Sequence, residues 1–378
     1  MDYGHQILDF DGHSLTGREP YLVLDSQGEA SFWDDVREHL RQGARLFPQG
    51  GAIGFVGYEA TRSLEPRAFP LERPDDLKLP QARLVFYKSL QKGAAPPTAL
   101  IPFELTDLPD KPESRTFYEA GVCQIKEYIA AGDIYQANLT HRVSLETGRY
   151  AQEIYERLQQ LGRAPRAALL EWEDFSIISN SPETFLTLKD GLLEARPIKG
   201  TIKRGATPES DAARIDELAQ SAKNRAENVM IVDLMRNDLG QVCEYGSVHV
   251  PSLYRIETYP TLHHGVSIVQ GRLRPGCGAV DAFLASFPCG SITGAPKLRA
   301  MQILNEIEPV PRGVSMGAIG TFGFNGDMEW SVAIRTATLV DKHAYFHVGG
   351  GIVADSEPAS EYEEMRLKAK ALYSAIRE

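Results

Sequence analysis

Between Ala167 and Ile198 the chain runs through four short apolar stretches in quick succession: "AALLEW", "FSIIS", "TFLTLKDG" and "LLEARPI". None is long enough for a helix, and each is bounded by turn residues, so they read as strands. Asp190-Gly191 between the last two is a strong two-residue hairpin signal. Strands joined this tightly must pair antiparallel. Helical periods interrupt the strands elsewhere. "TFYEAGVCQIKEYIAAGD" has helical spacing with Gly132 as its stop, and "SDAARIDELAQSAKNRAENVMIVDLMRNDLG" reads as one long helix ending near Gly240. "SEPASEYEEMRLKAKALYSAIRE" reads as an amphipathic helix capped by Ser356. "IYQANLTHRVSLE" alternates like a strand. Hairpins mixed with helices predict an α+β fold: antiparallel sheets covered by helices, and not a doubly wound parallel sheet.

The 378 residues exceed what one small core holds, which leaves two domains or one large layered body. The proline-rich stretch Lys92–Arg115 is the one linker-like segment. Before it come "YLVLDS", "GGAIGFVGYEA" and "ARLVFYKSL", all strand-like. The net charge of −11 argues against nucleic acid as the main partner, though not against a small anion in a basic pocket. No apolar run is long enough to span a membrane, and the start "MDYGHQILDF" lacks the features of a secretory signal. Cys123, Cys243, Cys277 and Cys289 are widely spaced, so reduced thiols in the cytoplasm are expected. Neither a dinucleotide fingerprint nor a P-loop occurs; the glycines of "GGGIVADS" have the wrong spacing.

Several residues invite a chemical reading. Lys199, in "EARPIKGTIKRG", stands between an apolar strand and a Gly-Thr turn. An isolated lysine is ordinarily a surface residue. Glu361, Glu364 and Lys368 share one face of the final helix, as a surface pair would. That helix follows Gly349–Gly351, where the backbone can approach a ligand or simply form a bulged strand end. Close backbone approach, paired carboxylates and a lysine together suit an anion and a metal. Glu227 is either a helix-surface acid or a second carboxylate for a hard divalent ion. "SFPCGSITGAPK" runs a glycine-rich turn into a helix start near Pro296, which serves for capping or for a carboxylate. Arg335 in "WSVAIRTATL" reads as an inward charge in an alternating strand, and it needs an anionic partner.

These stretches together resemble the chorismate-utilising enzymes. The motifs "GDIYQANLT", "SPETFL", "RPIKGT", "RAENVMIVDLMRNDLG", "FPCGSITGAPK", "AIRTA" and "GGGIVADSEPASEYEE" stand in the family's order, from about Phe117 to Lys370. The resemblance implies one sandwich of two packed antiparallel sheets with helices outside. Residues 1–110 would contribute to the same body as a catalytic domain at 111–378. It points to the branch that aminates chorismate to 4-amino-4-deoxychorismate, with Mg²⁺ and with ammonia from a glutamine amidotransferase subunit. Anthranilate synthase component I and a non-catalytic glutaminase-binding subunit are the alternatives. By resemblance Lys199 is a nucleophile, where anthranilate synthases carry a small residue, and Glu183 is the general acid. His264 stands near the ring or the leaving hydroxyl. Gln136 replaces the lysine base of the water-using branches. Gly200, Thr201, Arg335, Gly349, Gly351 and Lys368 hold the substrate carboxylates. Glu227 and Glu364 are implied as metal ligands, with Glu361 close by. Ser315 stands where many relatives place a tyrosine on the substrate, and "LGRAPRAAL" departs from the segment of tryptophan-inhibited relatives. Glu183 and Lys199 face the same way only if the hairpin between them carries an extra residue. A three-residue loop Asp190–Leu192, hence a bulge, is therefore expected.

Overall fold

The structure is a computed structural model and describes residues 3–95, 105–259 and 262–377. Among these, seventeen strands, numbered in chain order, form one antiparallel ladder. Its first half runs β13 (Gly294–Ala295), β5 (Gln136–Glu146), β17 (His343–Ile352), β16 (Thr336–Val340), β7 (Ser176–Ser181), β6 (Arg166–Glu171) and β1 (His5–Phe10). β1 turns into β2 (His13–Ser26). The second half continues through β4 (Ala82–Ala94), β3 (Gly51–Val56), β14 (Ala318–Gly323), β15 (Met328–Val332), β8 (Thr184–Lys189), β9 (Leu192–Arg196) and β12 (Leu262–Arg272). β10 (Ile198–Lys203) and β11 (His249–Thr258) both pair with β12. The two expected sheets are thus present, joined through the β1–β2 hairpin.

The halves face each other across a core that includes Leu8, Ile53, Phe55, Val85, Leu170 and Ile177. Each outer face is covered by helices. Trp33 of α1 (Ser31–Leu46), Met235 of α5 (Ala222–Gly240) and Phe283 of α6 (Ala279–Ser286) pack on one side. Residues of α2 (Pro112–Ala130), α3 (Ala151–Gly162), α7 (Lys297–Ile307) and α8 (Pro358–Ile376) pack on the other. This explains the near-continuous apolar strands: they are buried on both faces. In β3, Ile53 and Phe55 enter the central core while Ala52 and Val56 enter the outer one. Strands from either side of residues 96–104 share ladders, β1 with β6 and β3 with β14. Of the linker-like stretch, 96–104 lie outside the described residues; its first residues belong to β4 and Pro112 already opens α2.

Two helix boundaries differ from the sequence reading. The expected long helix is broken at Ser221 into α4 (Pro208–Gln220) and α5. Ser221 has an extended backbone and its side chain accepts from Asn224 N, so it caps the second helix and ends the first. A fresh helix start therefore lies one turn and a half before Glu227. The final helix begins at Pro358, with Glu357 at its cap. Ser356 instead donates its hydroxyl to Glu361 Oε1 at 2.6 Å.

Ser221→Ala should lower stability by about 1 kcal/mol, and Ser221→Asp should keep most of it. Urea denaturation of the two variants measures this; equal midpoints for Ala and wild type would show that the cap contributes nothing.

Candidate active site

Lys199 owes its position to a bulge. β10 slips by one residue against β12 between Ile198 and Thr201. Gly200, at φ 81°, takes the left-handed conformation that the slip requires. A Cβ there would also collide with Asn224 and the Tyr254 hydroxyl, each at 2.9 Å. The result is a lysine side chain only 12% exposed, its Nζ 3.9 Å from Glu227 Oε2. Burial pulls the amine's pKa down, against the opposing pull of Glu227 and Glu183. Lys199 is not the solvated surface lysine that an isolated lysine would be.

Glu183 precedes β8. Asp190 and Gly191 both have positive φ and form a two-residue turn, with Lys189 opposite Leu192. The expected three-residue loop is absent. The extra residue sits within the strands instead, where the register shifts between Thr184 and Thr187. Moving the bulge from the turn to the strand end leaves the turn chemistry undisturbed. Burial pushes the Glu183 carboxyl up to about 7, opposed by the Ser291 hydroxyl and by Lys199. Its Oε1 has no hydrogen-bond partner.

Beside the lysine, β17 passes β5 in regular register, with Gly349 opposite Thr140 and Gly351 opposite Asn138. The three glycines are not a bulged end. A Cβ on Gly351 would lie 2.6 Å from Gln136 Nε2 and 3.5 Å from Lys199 Nζ. Gln136 is fully buried, and both its carboxamide atoms lack partners. On the other side of β17, α8 presents Glu361, Glu364 and Lys368. Lys368 Nζ reaches Glu364 Oε1 at 2.7 Å and the Gly349 carbonyl at 3.3 Å. Lys368, and more distantly Lys223 and Lys199, hold the Glu364 carboxyl below its usual range.

Arg335 does not lie in a strand, as its alternating surroundings suggested. It occupies the bend between β15 and β16 at φ 49°. Among the described residues no carboxylate lies within ion-pair range of its guanidinium, and burial lowers its pKa. A strained backbone holding an unmatched, half-buried cation is a place for an anion. His264 lies close enough to feel that charge. Burial and then Arg335 push it down to about 4, so it is neutral at physiological pH. Its Nδ1 is 2.8 Å from Thr201 Oγ1. Ser315 is not brought to this group. Its hydroxyl donates to the Thr336 carbonyl and accepts from His347 N, and it lines a separate cavity with Arg142 and Arg312.

The carboxylates expected to hold a metal each have a partner: Glu227 faces Lys199, Glu361 takes the Ser356 hydroxyl, and Glu364 faces Lys368. Among the described residues no three acidic, histidine or cysteine side chains gather into a metal cage. The donors are hard oxygens, which fit Mg²⁺ only as a partial site that a ligand's own oxygens would complete. A separate cavity of about 750 Å³, with Ile198, Val266 and Arg166 in its lining, contains none of these groups.

Sequence reasoning passed over Ser291 and Cys289. Both are buried in the "FPCGSITG" turn beside Glu183. The signal was present in that motif but was attached to the helix start at Pro296 alone.

The sequence matches the chorismate binding enzyme family over residues 8–374. The chain belongs to that family. Aminodeoxychorismate synthase component 1 of Bacillus subtilis is 41% identical over 364 residues, 87% of this chain and 77% of that one. Anthranilate synthase component 1 of Pseudomonas putida is 37% identical over 368 residues, 86% and 75% of the two chains. The crystal structure of anthranilate synthase component I from Streptococcus pneumoniae superposes with a TM-score of 0.81 at 28% identity, covering 95% of this chain and 92% of that one. This chain and the Streptococcus pneumoniae protein share one sandwich.

Gly351→Ala should leave the fold intact while displacing the Gln136 amide and crowding Lys199. Activity should fall with an unchanged melting temperature. A variant that turns over normally would show that these two groups tolerate displacement.

Proposed function

We propose that the chain aminates chorismate to 4-amino-4-deoxychorismate, the activity that the names of relatives such as the Bacillus subtilis protein describe. The observation that carries this reading is the Lys199 amine, buried, shifted toward its neutral form and set beside Glu183. A neutral amine has the lone pair that an attack requires. Its Nζ forms a C–N bond to the ring as the C4–O bond breaks. The hydroxyl leaves as water with the proton of Glu183. Ammonia then bonds to the carbon that lost the hydroxyl as the bond to the lysine breaks and the ring double bonds shift back; the lysine leaves as its neutral amine with both protons, and one proton of the new ammonium restores Glu183. The net change is hydroxyl for amine, with water released.

The surrounding groups suit this chemistry. Glu183, pushed up to about 7, keeps its proton near neutrality, as a general acid must. Gln136 cannot act as a base, so it does not activate water. Arg335, the Gly349–Gly351 backbone, Thr201 and Lys368 face the substrate carboxylates. Mg²⁺, held by Glu227 and Glu364 with Glu361 behind, would supply charge neutralisation for a carboxylate. Ammonia is mostly ammonium at neutral pH, so a glutamine amidotransferase subunit is the supplier we propose. Among the described residues no helix is long and apolar enough to cross a membrane, and the four cysteines are free. A reducing, cytoplasmic setting accords with those free thiols.

The purified chain, incubated with chorismate, Mg²⁺ and ammonium, should form aminodeoxychorismate, separable by chromatography. Lys199→Ala should reduce that product and open direct ammonia attack at the neighbouring carbon, so that some anthranilate appears. Wild-type yield and product from the variant would remove the covalent role of Lys199. Anthranilate as the main product of the unaltered chain would overturn the reading altogether.

The pH dependence follows from the sign of the Glu183 shift. A general acid works in its protonated form, so kcat/KM measured at fixed free ammonia should decline as pH rises through about 7. Glu183→Gln should lose that limb and fall by roughly a hundredfold or more. A flat profile across this range would exclude Glu183 as the acid.

A further inference from the structure

We infer that Ser267 is a positioning residue that holds Lys199 and Glu227 in one frame, through the bulged strand on one side and helix α5 on the other; the inference rests on the reading of Lys199 as the nucleophile. Ser267 lies on β12 and is wholly buried. Both neighbours of β12 lose register beside it. β10 slips between Ile198, opposite Val266, and Thr201, opposite His264. β11 slips between Ser252, opposite Ile268, and Arg255, opposite Val266. Bulges disrupt the ladder locally, so two of them flanking one short stretch leave it in need of other ties.

Ser267 supplies those ties. Its N donates to the Pro197 carbonyl at 3.1 Å, two residues before Lys199. Its Oγ accepts from Tyr254 N at 2.8 Å, inside the β11 slip. A serine hydroxyl has one proton to give, and here it goes to Asn228 Oδ1, 2.5 Å away. Asn228 follows Glu227 on α5, is wholly buried, and has no partner for its Nδ2. Among the described residues this is the one side-chain hydrogen bond between α5 and β12. Tyr254 carries the frame on to the bulge. Its backbone is held at φ 53°, which a tyrosine rarely adopts. A Cβ on Gly265 would come 2.4 Å from the Tyr254 ring and 2.6 Å from the Lys199 carbonyl, so ring and bulge meet over that glycine. The Tyr254 hydroxyl donates to the Leu218 carbonyl at 3.2 Å, in the last turn of α4, and stands against Gly200. Removing the Ser267 hydroxyl leaves Tyr254 N and Asn228 Oδ1 buried and unpaired. The strand bearing Lys199 and the helix bearing Glu227 can then shift relative to each other, and a nucleophile displaced by about 1 Å loses much of its rate.

The test compares Ser267→Ala, Asn228→Ala, the double variant and Ser267→Thr in turnover with chorismate, Mg²⁺ and ammonium, and in backbone hydrogen exchange. In each single alanine variant kcat should fall roughly ten- to a hundredfold, with KM for chorismate little changed. Part of the product should shift to anthranilate, as expected for Lys199→Ala. The double variant should fall no further than the worse single, because both substitutions remove one bond. Ser267→Thr keeps the hydroxyl and should restore both rate and product. Exchange in Ser267→Ala should quicken at the Tyr254 amide and over residues 197–201 and 222–228, while β6 and β7 stay protected. Wild-type kcat and product in Ser267→Ala overturn the inference, as do additive losses in the double variant. Quickened exchange with unchanged turnover also overturns it, leaving Ser267 a structural residue only. If Ser267→Ala does not fold, Asn228→Ala cuts the same bond from the helix and is read by the same outcomes. Wild-type product from Lys199→Ala would instead overturn the reading of Lys199 itself, a result separate from any in the Ser267 series.

Discussion

The removal of the Lys199 amine from water is the constraint to which the rest of the site answers. An ammonium loses much of its hydration when buried, and the group responds by favouring its neutral form. Glu227 at 3.9 Å is too distant for a hydrogen bond, so it tempers the shift without fixing the proton on the lysine. A closer carboxylate would hold the amine charged and inert. Glu183 experiences the same burial with the opposite charge, and burial drives it also toward neutrality. One dry environment thereby shifts both groups toward their neutral forms, the amine downward and the carboxyl upward.

Such a pair cannot be made by regular strands. Side chains alternate along a strand, so two groups on adjoining strands meet only where the register allows. Here the register is broken twice, once in β8 against β9 and once in β10 against β12. The second break places Gly200 at positive φ and turns Lys199 inward. The sandwich supplies the rigidity that these irregularities need. The β8 bulge is bordered by the buried strand β15, and the β10 bulge by β12, buried over His263–Ser267.

What the sequence made legible follows from the range of each signal. The four strands of 166–198, the Asp190-Gly191 turn and the Gly132 stop depend on neighbours a few residues away, and all are where local chemistry puts them. The Ser221 break is equally local, but the apolar periodicity runs through it and masks it. Arg335 was misplaced for a different reason. Its neighbours alternate, yet the bend is imposed by tertiary pairing on both sides, Val332 with Ala318 and Thr336 with Ser179. The bulge between Glu183 and Lys199 was foreseen because the two had to share a face, but its place in the strand is a packing outcome. The partners of Ser315, Thr336 and His347, depend on contacts across the fold, which no spacing in the chain records.

Charge organises the site at longer range. The chain carries a net −11, a field that repels a doubly anionic substrate at a distance. Around the carboxylates, however, stand Lys199, Lys223 and Lys368, with Arg335 opposite and unmatched. An anion entering this group exchanges a repulsive outer field for cations, of which Arg335 has no carboxylate partner among the described residues. Glu227 and Glu364 prevent the opposite fault. Without them the three lysines would repel one another. Their negative charge lets the cations be gathered closely before any ligand arrives. When a substrate carboxylate enters, the electrostatic arrangement is already in place, and little has to reorganise beyond the water that leaves.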